Sequence, residues 1–193
     1  MSKFDTSEWK EISFKDLFEN IKQGARLKSA DHIKGNLPFV MAGNINLGIS
    51  GYIGNENVRK FNANAITIDI FGNTFYRDYE FGASDDVGVF WNDKNQFSDN
   101  AMIFIASVIS KFMQGKFDFA NKLRASQTYD FKIKLPVKQN GEIDFEYMET
   151  TIKNTKFQMQ NILNAYKSLI QREKERERER KRKKEKERKR ERE

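Results

Sequence analysis

The chain has 193 residues, 38% of them hydrophobic and 13% aromatic, enough for one domain with its own core plus an appendage. It has no Cys and a single His, His32, which excludes disulfides, thiolate metal sites and the usual zinc centre. The net charge of +7 is unevenly placed: residues 171–193 hold 14 basic and 8 acidic side chains, leaving 21 and 20 for the rest. The body is therefore nearly neutral, and a nucleic acid would have to meet a local patch and polar base readers.

Met1–Lys10 has no apolar stretch behind its charges, so no signal peptide is expected. The longest apolar run, 101–109, is too short to span a membrane, and a cytoplasmic protein is the expectation. Trp9–Phe14 alternates weakly and predicts a strand. Apolar residues at 14, 17, 18 and 21 have the spacing of one helix face, and Gly24 would end that helix. Ala25–Asn36 is a polar loop and Leu37–Met41 a short buried strand. Gly43–Gly54 carries Gly at 43, 48, 51 and 54 and demands turns. Strands are predicted at Ala65–Phe71, Thr74–Phe81 and Val87–Trp91. Asp99 or Asn100 can cap a helix to about Met113, apolar nearly all round and hence buried. Lys132–Val137 is a last strand, closed by Pro136 and the turn at Asn140–Gly141.

A long helix follows, with Asp144 placed as its N-cap. Phe145, Ile152, Met159 and Tyr166 are seven apart, as are Met148, Thr155, Ile162 and Leu169. They form a heptad seam, broken only by Thr155, whose regularity favours a partner helix over packing on the chain's own body. The seam stops at Ile170. From Gln171 the chain is Arg, Lys and Glu, with nothing to bury. Pairs such as Glu177–Lys181 and Glu179–Lys183 are spaced i,i+4 and worth about 0.2–0.5 kcal/mol each. The expected fold is α+β. Residues 1–141 form a globular domain with a mixed or antiparallel sheet and short helices, 142–170 a long coiled-coil helix, and 171–193 a charged tail.

Several segments together resemble the specificity subunit of type I restriction–modification systems. They are Trp9-Lys-Glu-Ile through Gly24-Ala-Arg-Leu27, Gly35-Asn-Leu-Pro-Phe39 with Asn46-Leu-Gly-Ile-Ser-Gly-Tyr-Ile53, and Ile66-Thr-Ile-Asp69 with Phe75-Tyr-Arg77. Ser84-Asp-Asp-Val87, Lys116-Phe-Asp-Phe119 with Ile133-Lys-Leu-Pro136, and Gly141-Glu-Ile-Asp144 with Met148-Glu149 continue the series in order. The resemblance covers about residues 9–165. It implies a non-catalytic subunit that reads double-stranded DNA. Full-length members carry two target recognition domains separated by two antiparallel helices, which set the gap between half-sites and dock adenine methyltransferase subunits. An endonuclease or translocase subunit is a further implied partner. This chain has one domain and one helix, so it resembles a half subunit. Two copies pairing antiparallel through the seam residues Phe145, Met148, Ile152, Met159, Ile162, Tyr166 and Leu169 would make a two-fold homodimer with a palindromic split target.

No cofactor, metal or catalytic group is expected. The only prolines, Pro38 and Pro136, lie outside any Asn-Pro-Pro-Tyr-like methyltransferase motif. Asp85-Asp86 fits a turn before a strand better than a nuclease site, and His32 fits a solvated loop. Base readout needs Arg or Lys for guanine and Asn or Gln for adenine. Three loops offer them: Arg26, Lys28 and Lys34; Asn44 and Asn46; and Lys122, Arg124, Ser126 and Gln127. A weaker set is Asn73, Tyr76 and Arg77. The 122–127 loop ranks first because the matching stretch of the resembled family faces DNA.

The tail carries one further expectation. Arg, Glu and Lys all have purine-only codons, and a tandem AG repeat encodes Arg-Glu-Arg-Glu in every frame, as at Arg176–Arg180. A slippage-prone repeat would make this chain the truncated phase of a two-domain gene; a solvated helix tail without genetic role is the plainer reading. Two competing functions remain: a coiled-coil interaction protein, which predicts no sequence-dependent DNA binding, and a detached recognition module of a fused restriction–methylation enzyme.

Overall fold

The computed structural model describes residues 6–94 and 96–190, with side chains in the last helix as far as Arg182. The expectations for Met1–Asp5, for the Glu179–Lys183 pair and for the far end of the tail fall outside those limits. The chain is α+β and divides into two compact units, 1–152 and 153–193.

The described residues of the first unit form three sheets. β1 (Lys10–Ser13) pairs antiparallel with β10 (Lys132–Leu135), joining the two ends of the body. A second sheet has the order β2-β9-β6-β7: β2 (Asn20–Gln23), β6 (Ala65–Asp69), β7 (Thr74–Arg77) and β9 (Val87–Trp91). A third has the order β4-β3-β8-β5: β3 (Lys34–Val40), β4 (Ile49–Ile53), β5 (Lys60–Phe61) and β8 (Phe81–Ala83), with β3 and β8 parallel. β6 is buried at every position, as its run of Ala, Ile, Thr and Ile predicts for a central strand.

Two apolar cores hold these layers together. Val40, Phe61, Ala65, Phe81, Ala83, Val87 and Val89 fill one, contributed by strands of the second and third sheets. The larger gathers Phe14, Phe18, Ile66, Phe90, the helix α2 (Asp99–Met113), Ile133, Leu135 and Met148. Ser98 accepts a hydrogen bond from the Ala101 N–H at 3.2 Å, so the α2 cap lies one residue before the expected Asp99 or Asn100.

The helix expected over 14–21 is a single turn, α1 (Phe14–Leu17), followed by β2. The four apolar positions are all buried, yet only the first two are helical. The side chain of Asn92 takes over the backbone groups freed there, accepting from the Glu19 N–H at 2.6 Å and donating to the Leu17 carbonyl at 3.2 Å. Gly24 consequently follows a strand. A Cβ there would strike the Ala83 and Ser84 carbonyls, so the position needs glycine for close backbone approach. The strand expected over 74–81 is two strands, because the chain leaves the second sheet after Arg77 and enters the third at Phe81.

α3 runs Phe145–Arg190. Asp144 caps it by accepting from the Tyr147 N–H at 3.0 Å. Its first two turns belong to the body: Met148 is fully buried, and Phe145 and Ile152 pack on the larger core.

Within the second unit every described side chain is exposed. Met159, Ile162, Leu163, Tyr166, Leu169 and Ile170 lie bare on one face, at 65%, 68%, 46%, 64%, 55% and 41% exposure. Lys181 and Glu177 pair at 2.8 Å, and the ammonium holds the Glu177 carboxyl below its usual range.

Candidate nucleic-acid interface

Three of the expected reading loops leave the sheets at one edge and are tied there by a connected set of hydrogen bonds. Its hub is Asp69 at the end of β6, 4% exposed. One carboxylate oxygen accepts from the Phe71 and Asn73 N–H groups at 2.8 and 2.9 Å. The other accepts from the Gly43 N–H at 2.8 Å and the Asn73 side-chain amide at 2.7 Å. Asp69 therefore shapes its own turn and fixes the start of the 43–48 loop.

The next residue, Ile70, carries the connection onward. Its carbonyl accepts from the Leu123 N–H at 2.9 Å and its N–H donates to the Asp86 carbonyl at 2.9 Å. The 121–127 loop is thus laced to the Ser84–Val87 turn. Arg124 Nη1 donates to the Asp85 carbonyl at 2.8 Å, and Gln23 Nε2 donates to the same carbonyl at 2.9 Å. Gln23 Oε1 in turn accepts from the Ala125 N–H at 2.9 Å. Gly24 and Ala25 donate to Val87 and Ala83, which starts the 25–34 loop at the same edge.

The side chains of Arg26, Lys28, Lys34, Asn44, Asn46, Lys122, Arg124, Ser126 and Gln127 are all exposed. Arg124 and Gln127 also maintain their own loop: Gln127 Oε1 accepts from the Arg124 N–H at 2.6 Å. Lys122 leans toward the ring of Phe119, 5.7 Å from its centroid. Near the 25–34 loop, Arg26 and Arg59 line a cleft of about 490 Å³ with Leu27 and Ile33.

The weaker set is turned inward. Asn73 is half-buried and donates to Asp69. The Tyr76 hydroxyl donates to Asp99 at 2.7 Å; burial, and then this bond to a carboxylate, push the phenol far above its usual range, so it stays a donor. Arg77 is fully buried, and burial lowers its pKa. Its bonds go to Thr67, Tyr79 and the Leu47 carbonyl. Asn73 and Arg77 support the edge from beneath, through Asp69 and the Leu47 carbonyl, whereas Tyr76 bonds α2 instead, and Arg77 does not reach the surface.

His32 is half-buried rather than solvated: its ring packs edge-on against Phe39 at 5.2 Å, and Nε2 lacks a hydrogen-bond partner. Asp85 and Asp86 form the expected turn, with the Val87 N–H on the Ser84 carbonyl at 3.1 Å. Among the described residues no group of three or more His, Asp or Glu side chains could hold a metal ion. Sequence reasoning does not find Asp69 or Gln23. For Asp69 a signal exists, an Asp three and four residues before Gly72 and Asn73, the pattern of a side chain that caps its own turn. Gln23 has none, because its partners are 62 and 102 residues away.

The chain is similar to known proteins. The family described as the type I restriction modification DNA specificity domain matches residues 6–165. The type II restriction enzyme BgcI specificity subunit S.BcgI of Heyndrickxia coagulans is 29% identical over 144 residues, 73% of this chain and 41% of that protein. Among solved structures, the S subunit of a type I restriction-modification system from M. genitalium superposes with a TM-score of 0.57 at 18% identity, over 84% of this chain and 41% of that one. The HsdS subunit of Thermoanaerobacter tengcongensis gives 0.53 at 12% identity, over 85% and 41%. The chain spans well under half the length of each.

Proposed function

The chain belongs to the type I restriction modification DNA specificity domain family, and from that premise we propose that it reads one half of a split DNA target for a methyltransferase-bearing complex. Specificity subunits are the recognition part of restriction–modification enzymes and carry no catalytic centre of their own. The observation that carries the reading is the edge just described. Loops 43–48 and 121–127 and the start of 25–34 are laced by buried or backbone hydrogen bonds, yet present Arg, Lys, Asn and Gln outward. That is a rigid scaffold with base-reading side chains. A selection from duplex oligonucleotides randomised over more than two helical turns tests it. One enriched motif is the expected outcome; no enrichment, with the protein folded, contradicts it.

Arg124 is the leading reader. Arg124→Ala is expected to cost about 1–3 kcal/mol of specific binding and relax one base position. Equal loss on all sequences would instead make it a phosphate contact.

The partner-binding part of the reading rests on α3. The first three seam residues, Phe145, Met148 and Ile152, are committed to the body's own core. The stretch left bare is Met159–Ile170, widened beyond the heptad positions by Leu163 and Ile170. Bare apolar residues at this spacing fit a second helix, here that of a second copy running antiparallel. Adenine methyltransferase and endonuclease or translocase subunits would dock on the pair, in the cytoplasm; no helix among the described residues is long and apolar enough to cross a membrane. Light scattering at micromolar concentration should show a dimer that Ile162→Glu with Leu169→Glu converts to a folded monomer. A wild-type chain that stays monomeric on DNA sinks the homodimer. The competing interaction-protein reading has the same bare helix in its favour and predicts no enriched DNA motif.

A further inference from the structure

The tip of the 43–48 loop is Asn44-Ile45-Asn46-Leu47. Ile45 is 86% exposed and Leu47 53%, although both are large and aliphatic. Asn46 and Leu47 also adopt left-handed backbone conformations, with φ of 49° and 56°. Asn tolerates that region, but Leu does so at a cost. The fold holds this arrangement at three points. The Met41 N–H on the Gly48 carbonyl at 2.9 Å closes the neck. Asp69 takes the Gly43 N–H. Arg77 Nη2 donates to the Leu47 carbonyl at 2.6 Å.

Arg77 is unusual in its own right. It is 0% exposed, and its hydrogen-bond partners are all neutral: Thr67 Oγ1 at 3.0 Å, the Tyr79 hydroxyl at 2.9 Å and the Leu47 carbonyl. Its guanidinium also lies over the Phe75 ring, 5.2 Å from the centroid. A buried cation without a carboxylate is costly, and an apolar residue would fill the space more cheaply. What the guanidinium provides that an apolar residue cannot is a fork reaching from a rigid strand to the strained tip.

We propose that Ile45 and Leu47 are DNA-contacting residues that read thymine methyl groups, and that Arg77 is the positioning residue that sets them. The tip alternates amide with aliphatic side chains. An A·T pair presents in the major groove the two matching features, the N6/N7 edge of adenine, which Asn can bridge, and the C5-methyl of thymine, which an aliphatic side chain covers. The strained conformation spreads these four side chains outward from a loop whose ends are fixed. The proposal rests on the DNA-reading function and adds to it a base class: the half-site contains A·T pairs read by this loop.

The test uses the full chain and the motif it enriches from the randomised duplexes. Each thymine of that motif is replaced in turn by deoxyuridine, which removes only the methyl. Wild type should lose about threefold to tenfold in affinity at one or two thymines, the scale of one buried methyl. Ile45→Ser and Leu47→Gly lie on the exposed tip and leave the core intact. They should bind the thymine duplex more weakly and lose the uracil penalty at those positions. Leu47→Gly should also be as stable as wild type or more so, since glycine takes a left-handed φ without strain. Arg77→Lys keeps the charge and loses the fork, so it should lower discrimination at the same thymines while leaving the salt dependence of binding unchanged. A motif whose thymines are all insensitive, or a penalty that persists in both tip variants, overturns this inference alone. A library from which no motif emerges overturns the recognition reading, and this inference with it.

Discussion

Asp69→Ala should cost about 3 kcal/mol of stability and most of the sequence discrimination together. The carboxylate is 4% exposed and accepts four hydrogen bonds, from the Gly43, Phe71 and Asn73 N–H groups and the Asn73 amide. Alanine leaves those donors without a partner, each at about 1 kcal/mol or more, with some recovery by water at the loop surface. The Gly43 anchor of the 43–48 loop goes with them. Asp69→Asn keeps the shape but turns one oxygen into a donor facing donors, so it restores at most half of the loss. Urea unfolding gives the stability, and competition between the selected duplex and a scrambled one gives the discrimination. Full retention of discrimination in a destabilised Asp69→Ala would separate the 43–48 loop from base reading.

Phe14→Ala should show the opposite partition. Phe14 is fully buried and meets Phe18, Phe90 and Phe131 edge-on, with centroids 5.9, 5.8 and 6.0 Å away. Truncating a buried phenylalanine costs about 3–5 kcal/mol in transfer and cavity terms. Against a typical total of about 5–15 kcal/mol, that leaves the domain marginal near body temperature. The ring is fully buried in the large core and offers no surface to DNA, so the fraction that stays folded at low temperature should discriminate DNA sequences as wild type does. The thermal midpoint and the cold competition assay check the two halves of the prediction.

The contrast between these variants follows from what local patterns carry. β9 coincides with the predicted 87–91, and α2 differs only in its cap residue, because long apolar or alternating runs and a Ser or Asp at the boundary are local signals. α1 and β2 are misread together: Phe14, Leu17, Phe18 and Ile21 satisfy a helical face, but the pairing of Ile21 with Phe90 and the Asn92 caps are non-local. The break after Arg77 is hidden for the same reason, since the change of sheet depends on partners in β3 and β5.

The candidate readers at 26, 28, 44, 46, 122, 124, 126 and 127 are legible as polar loop residues and are exposed; Lys34, read with the loop over 25–36, is the exposed first residue of β3, because its pairing with Ile53 is non-local. Arg77 looks like another reader in sequence because Arg is the usual guanine ligand. Only the third dimension places it beneath Leu47. The seam shows a related limit. Heptad spacing marks Phe145, Met148 and Ile152 as equivalent to Met159 and Ile162, whereas the body's core claims the first three and leaves the later ones bare.

The most direct test of the central claim is a single-base-resolution map of DNA methylation in the source cells with and without this gene. Adenine methylation should disappear at one split motif, and the motif's halves should be identical and inverted if two copies of the chain pair. An unchanged map, with the protein shown to be expressed, would contradict the specificity role.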